Sequence, residues 1–437
     1  MLLIYLPSIT ERSEYVFELV FKNEFGLEYI TTADIKKFDE HQQEKINYSS
    51  ARIGEDIFIK ASSLLFEQSI KKINVPIETK HNVPVLFPDV GSGDIGFDIF
   101  AAVFYMVSRY EEYLPFIPDG HGRFKASDSL AYQNDFLQYP VVNIWLLHFK
   151  NILQNKYPSL QCKPSSFKAI VTYDIDIAYA YNGRSLFRMV GGTARDIFTL
   201  KINNVLNRIS SIFNRKDPWD TYAFLQDIIF KNKLTPIFFF LLGDYSRYDK
   251  NIKYDHPLMK ALVNKVSEFS DIGIHPSYKS SVITEKILIE KSRLEKLSNK
   301  PITKSRQHYL RFILPDTYNQ LLAAGITEDY SMGFTGMPGF RAGICTPFYF
   351  YDLKNERATG LKIFPVTFME GTFINYLKLN PKESLEKISS LITEVKNVDG
   401  TFISIWHNNT VSEDADNKEW RWVHNEMIKK FQPANFF

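Results

Sequence analysis

An α/β architecture is the fold class this sequence predicts: a parallel sheet or distorted (β/α) barrel preceded by a smaller α/β domain. Two observations carry that expectation. From residue 167 onward, strand-sized apolar runs alternate with helical patterns, the signature of strand–helix–strand units. The chain of 437 residues also exceeds one ordinary domain, and a Pro- and Ser-rich stretch, "KYPSLQCKPSS" (156–166), marks the best boundary. The expected division is 1–160 for the N-terminal α/β domain and 161–437 for the larger one.

Taken in order, "MLLIYLP", "EDIFIKA" and "VPVLFP" read as short strands of the first region. The opening run is broken by Pro7 and lacks a basic flank, so it reads as a strand rather than a signal peptide. In "DIFAAVFYMVSRYEEYL" (98–114), Ile99, Val103, Val107 and Tyr110, with Phe100, Phe104 and Leu114, recur at helical spacing. "PDGHGRF" (118–124) reads as a turn and "VVNIWLLHFKNIL" (141–153) as a second helix. Beyond the boundary, strands are expected at 168–175, 235–242, 271–275, 306–312, 339–345, 361–368 and 401–407. Helices are expected at 218–232, 256–269, 283–297, 315–324 and 382–396.

Residues 181–216 interrupt this alternation. Arg184, Arg188, Arg195, Lys201, Arg208, Arg215 and Lys216 face a single acid, Asp196, and Phe198, Ile202, Val205, Leu206, Ile209, Ile212 and Phe213 share one helical face. The plain reading of this basic amphipathic insertion is a docked helix with a solvated face. The sharper one is contact with membrane headgroups or with an anionic, lipid-linked substrate.

Composition narrows the function. Hydrophobic residues make up 45% and charged residues 23%, as in globular proteins generally. The net charge of +2 gives no polyanion-binding signal, so nucleic acid is not an expected partner. Two cysteines, Cys162 and Cys345, are too few for a thiolate cluster or a disulfide framework. No apolar run reaches the ~20 residues of a membrane span. The expected compartment is the cytoplasm, with 181–216 the one candidate for peripheral contact with the inner face of the membrane. Aromatic residues, 15% of the chain, supply core and also faces on which pyranose rings stack.

The chemistry starts at "VTYDIDIAYA" (171–180), where Asp174 and Asp176 leave an apolar strand on the same side. Buried carboxylates need a cation, a donor or solvent. An Asp-x-Asp pair alone fits strand-end capping, a glycosyltransferase-like metal and sugar-nucleotide site, or a hydrolytic metal site. The neighbours favour the last. His275 follows a short apolar strand in "SDIGIHPSYKS", His308 lies in "SRQHYLRF", and His407 ends the last strand in "ISIWHNN". One Asp and two His suit zinc or another borderline divalent ion, and leave a position for water. In parallel α/β folds such groups gather at the C-terminal strand ends.

On these residues the chain resembles the polysaccharide deacetylases with a NodB-homology domain, carbohydrate esterase family 4 in the broad sense. The likeness covers residues 165–437. The resemblance implies that "TYDID" supplies Asp174 as general base and Asp176 as metal ligand. It implies that "GIHPS" supplies the ligand His275, that "GFRAG" supplies Arg341 to orient Asp174, and that "ISIWHN" supplies His407 as general acid. The family's second ligand motif is His-x-x-x-His, and here its last position is Lys279, a donor that cannot ligate while protonated. His308 is the expected replacement, in a motif similar to those of a Bacteroidetes-like subgroup with an extra N-terminal domain. Glu370 in "FPVTFMEGTF", Asp329 in "ITEDYSMGF" and Tyr173 are the candidate substrate contacts, with Glu370 also placed to tune His407.

The function so implied is metal-dependent removal of an N-acetyl or other acyl group from an amino-sugar-containing glycan or glycolipid precursor, in the cell envelope's carbohydrate metabolism, with zinc the expected ion. Two alternatives stand beside it. A non-catalytic carbohydrate-binding protein on the same fold is suggested by Lys279. A metal-dependent glycosyltransferase using Asp174 and Asp176 would need a nucleotide-binding region, and no Gly-rich phosphate loop precedes a helix.

Overall fold

The computed structural model describes residues 1–80, 82–89, 91–183, 217–414 and 417–432. The basic segment of the insertion, 184–216, therefore lies outside the described residues, and so does the helix expected there.

The N-terminal region is built on four short parallel strands: β1 (Leu2–Tyr5), β2 (Tyr29–Thr32), β3 (Lys45–Ser49) and β4 (Ile57–Lys60), in the order β2-β1-β3-β4. Helix α1 (Glu11–Phe17) starts on a capping box, Thr10 and Ser13 exchanging hydrogen bonds that satisfy two N-terminal donors. A hairpin, β5 (Ile77–Lys80) and β6 (Val83–Leu86), follows. In α2 (Ile99–Val107) all nine residues are buried, as an all-round apolar sequence requires. This helix stops short of the expected 114. Arg109 takes a left-handed conformation (φ 54°), and a 3₁₀ turn replaces the last turns. α3 (Val141–Lys156) closes the region.

The second part alternates strand and helix as expected through β7 (Lys168–Ile175), α4 (Tyr222–Asn232), β8 (Ile237–Phe240), α5 (Pro257–Ser267), β9 (Asp271–Ile274), α6 (Thr284–Ser298), β10 (Lys304–Ser305), α7 (Asp316–Ala323) and β11 (Glu328–Asp329). Then come β12 (Phe348–Asp352), β13 (Arg357–Ile363), β14 (Phe368–Met369), α8 (Pro381–Asn397), β15 (Thr401–His407) and α9 (Lys418–Lys429). These nine strands form one sheet in the order β12-β13-β11-β10-β9-β8-β7-β15-β14, parallel except for the β12–β13 pair. β8 and β15 are buried along nearly their whole length, and β8, Ile-Phe-Phe-Phe, reads accordingly as a continuous apolar run. Among the described residues no ladder joins β12 to β14. Instead, residues 362–369 bond to the β11 side through Phe364 and Val366 and to β15 through Thr367 and Phe368, so one continuous segment links both flanks.

Two expected strands differ. The run at 306–312 is a loop and 3₁₀ turn after the two-residue β10, with Tyr309 (φ 63°) and Leu310 (φ 48°) in left-handed backbone. The run at 339–345 is irregular because its backbone docks on the N-terminal region: Phe340 N–H donates to the Leu137 carbonyl, and Val142 N–H to that of Gly343.

That docking carries a buried ion cluster. Glu112 accepts from Arg341 (Nε 2.9 Å, Nη2 2.5 Å) and from Arg109 Nε (2.7 Å), and all three side chains are buried. Burial works against the Glu112 charge, but Arg341 and Arg109 outweigh it and hold the carboxyl below its ordinary range. Removing one partner of such a cluster strands the rest. Glu112→Ala should therefore cost about 3–5 kcal/mol of unfolding free energy, read from urea denaturation. A loss under about 1 kcal/mol, the worth of a surface pair, would contradict this account.

Candidate metal centre and active site

The strand register assembles the site. Asp174 in β7 and His407 in β15 are direct ladder partners, so the first and last strands bring two chemistry-bearing groups side by side. Strand alternation puts Asp174 and the following Asp176 on one side. His275 follows β9, and its N–H donates to the Phe240 carbonyl (2.9 Å), extending the ladder by one bond. His308 stands three residues past β10, with its N–H on the Pro276 carbonyl (3.2 Å).

The ring orientations are set from behind. His275 Nδ1–H donates to the Arg306 carbonyl (2.5 Å), which turns Nε2 to within 3.0 Å of Asp176 Oδ1. His308 Nδ1–H donates to Asp249 Oδ1 (2.9 Å), and its Nε2 lies 3.3 Å from Asp176 Oδ2. With both Nδ1 atoms used as donors, the neutral rings present Nε2 lone pairs to a carboxylate. Asp176 Oδ1 is itself enclosed and has no hydrogen-bond donor. One ligand atom from each of Asp176, His275 and His308 falls within a 4.8 Å group. Such a convergence of acceptors calls for a cation, and this donor set fits a divalent ion with zinc-like preferences.

The same convergence of acceptors attracts protons as well as a cation. Burial works to raise the Asp176 carboxyl, but His308 and His407 outweigh it and hold it well below the carboxylate range. Burial depresses His308, yet Asp176 and Asp249 lift it to about 9. His407 is lifted to about 10, against its burial, chiefly by Glu370 and then Asp176.

Beside this cluster stand Asp174 and His407. Asp174 Oδ1 accepts from Arg306 Nη1 (3.3 Å), and its Oδ2 lies 3.7 Å from His275 Nε2. His407 Nδ1–H donates to Glu370 Oε1 (2.6 Å), an oxygen that also accepts from the His407 N–H and Thr410 Oγ1. His407 Nε2 points back to Asp176 Oδ2 at 3.5 Å. All these groups except Asp249 and Arg306 line one cleft of about 410 Å³, whose walls include Trp219, Tyr309 and Tyr376.

Several expected residues fall elsewhere. Arg341 does not reach Asp174, because Glu112 and the Gly333 carbonyl (3.0 Å) hold its guanidinium against Phe312 and Phe334. Arg306 takes the position beside Asp174 instead. Tyr173 alternates to the far side of the sheet, where its hydroxyl meets His424 Nε2 at 2.9 Å, so it cannot touch a substrate in the cleft. Asp329 is fully buried, its carboxylate accepting from Ser305 Oγ (2.6 Å) and from the Ser331 N–H and Oγ (both 2.9 Å). Glu370 does line the cleft, but it is buried, and its Oε1 is taken by the His407 ring, the His407 N–H and Thr410. Lys279 is exposed, and His308 stands in the cluster with Asp176 and His275.

Two residues were missed, Arg306 and Asp249. Arg306 had a signal, since it precedes His308 by two residues as Asp174 precedes Asp176. Asp249 had none, because its loop meets His308 only in three dimensions.

Residues 2–158 match a family of unknown function, DUF7033. No curated protein matches. Among solved structures, a "putative polysaccharide deacetylase" from Mycobacterium smegmatis aligns over 61% of this chain and 85% of its own, at 11% identity and a TM-score of 0.40. A CE4-family pseudoenzyme from Bacillus anthracis aligns over 62% of each chain at 9% identity and a TM-score of 0.31. IcaB from Ammonifex degensii aligns over 39% of this chain and 86% of its own, at 12% identity and a TM-score of 0.23. No described helix is long and apolar enough to cross a membrane.

Asp176→Asn, His275→Ala and His308→Ala should each abolish stoichiometric zinc binding, measured by metal analysis after dialysis. Asp249→Asn should weaken it by about 10–100-fold, as loss of a carboxylate behind a ligating imidazole does. Full zinc retention in His308→Ala would remove that residue from the ligand set. Because binding must displace the proton that His308 holds up to about 9, zinc affinity should rise as pH rises toward that value and fall below it. Calorimetry in buffers of different ionisation enthalpy reads the released proton.

Proposed function

We propose that the protein is a metal-dependent hydrolase that removes an N-acetyl or related acyl group from an amino sugar in a glycan. One observation carries the reading: an acceptor-only Asp–His–His cluster has a guanidinium-held carboxylate on one flank and a carboxylate-backed imidazole on the other. A divalent ion held by Asp176, His275 and His308, zinc being the expected one, supplies Lewis-acid polarisation of the acyl carbonyl and a more acidic water.

The rest is done by side chains. Asp174 accepts a proton from the attacking water at one carboxylate oxygen, while Arg306 Nη1 donates to the other and fixes its orientation. His407, lifted to about 10, carries a proton on Nε2 at neutral pH and delivers it to the amide nitrogen as the C–N bond breaks. Glu370 keeps the ring oriented and balances the imidazolium. The products are a carboxylate and a free amine. Trp219, Tyr309 and Tyr376 give the cleft the aromatic walls a pyranose requires. The same reading takes residues 161–437 as a distorted (β/α) barrel of the NodB-homology type, supported by the segment 362–369 that links both flanks of the sheet.

The test is acetate release from N-acetylated glycans by zinc-loaded protein. Asp174→Asn should abolish turnover and keep zinc, because an amide of similar size cannot take a proton. His407→Ala should lower kcat by about 10²–10⁴. Undiminished acetate release by Asp174→Asn would sink the proposal. A zinc-loaded protein that turns over no acylated sugar would favour the non-catalytic alternative.

A further inference from the structure

A second cavity, of about 310 Å³, adjoins the cleft and shares Arg123, Leu310, Thr335 and Tyr376 with it. Its outer wall comes from the N-terminal region, from Asp119 to Tyr132, and its inner wall from the loop around Phe334. The volume is within the ~300–1,000 Å³ typical of small-molecule sites. The turn "PDGHGRF" builds the partition. Arg123 is buried, and it donates from Nη1 to the Tyr309 carbonyl (2.7 Å) and from Nη2 to Tyr376 Oη (3.3 Å). His121 Nδ1 meets Tyr278 Oη at 3.1 Å, and Arg311 Nε donates to the His121 carbonyl (2.7 Å). This part of the N-terminal region is thus fixed to the loop that carries His308.

The chemistry of the cavity selects a kind of occupant. Phe124 and Phe334 stack at 6.5 Å between ring centres, and Tyr132 and Tyr376, 41% and 46% exposed, stand at the rim. Aromatic faces left in solvent beside polar groups suit the C–H faces and hydroxyls of a sugar ring. The cations are already matched: Arg123 with Asp119 (2.7 Å), Lys125 with Asp128 (3.3 Å) and Arg341 with Glu112 (2.5 Å). No unmatched positive charge remains among these for a carboxylate or phosphate.

We propose that this cavity binds the uncharged sugar next to the one that is deacylated. The substrate is then an oligosaccharide or polymer, and the N-terminal region, through Tyr132, reads its second residue. The inference rests on the hydrolase reading only for the word deacylated. The binding itself is tested separately.

The experiment titrates zinc-loaded Asp174→Asn protein with β-1,4- and β-1,6-linked N-acetylglucosamine oligomers of one to four units, by calorimetry. The step from one to two units should tighten binding by about tenfold in at least one linkage, the usual effect of a buried aromatic contact. Adding Tyr132→Ala should remove that gain and leave the monosaccharide affinity unchanged, while Tyr132→Phe should keep the gain. Absence of a length dependence overturns the inference, and so does a gain that survives Tyr132→Ala. Tighter binding of an oligomer that alternates N-acetylglucosamine with glucuronate overturns the assignment of a neutral neighbour. Turnover in the otherwise unaltered protein separates the two readings. A length gain without acetate release from any oligomer removes the hydrolase and keeps this site, and acetate release with no length gain does the reverse.

Discussion

A single buried guanidinium organises the floor of the cleft. Arg306 is fully enclosed, and a charge so placed is costly unless paired and hydrogen-bonded. Its Nη1 reaches Thr172 Oγ1 (2.6 Å) and Asp174 (3.3 Å), its Nε donates to the Tyr330 carbonyl (3.0 Å), and its plane lies 4.7 Å from the Phe239 ring centre. Its own carbonyl orients His275. One residue therefore ties β7, the end of β9 and the end of β11 together. Gly273 belongs to the same packing, since a Cβ there would come within 2.6 Å of the Phe239 ring.

Charge balance shapes the site above that floor. Three imidazoles and two aspartates sit within a few ångströms, and each group has its own partner behind it: Arg306 behind Asp174, Asp249 behind His308, Glu370 behind His407. This separation keeps the His407 imidazole protonated beside Asp174, with the Asp176 cluster between the flanking groups. The π-helical and 3₁₀ irregularities around it, with Tyr309 in left-handed backbone, place the cleft walls where regular strands would not.

The N-terminal region is joined to the second part at several points, two of them buried guanidinium contacts. Glu112 is the acidic centre of a buried cluster with Arg341 and Arg109, and Arg123 bonds to the backbone of Tyr309, the neighbour of His308. Apolar side chains from both parts also belong to one continuous core. A shift of the N-terminal region would accordingly move the rim of the cleft.

The strand ends that carry the chemistry were legible in the sequence. β7, β8, β9 and β15 are inner strands rich in apolar and β-branched residues, and Asp174, Asp176, His275 and His407 stand out at or just past their ends. Helices α4 to α8 were legible from their 3.6-residue periodicity. The two-residue strands β10, β11 and β14 are too short to show any period, so their positions came only from the structure. The same holds for the partners. A guanidinium can serve Asp174 from any loop that folds over the sheet, and only the docking of 339–345 on the N-terminal region decided that Arg341 goes to Glu112 and Arg306 to Asp174. The sequence by itself determined which residue types end the strands, because burial and alternation are local. Tertiary structure alone decided which charges meet, because pairing depends on distances between segments far apart in the chain.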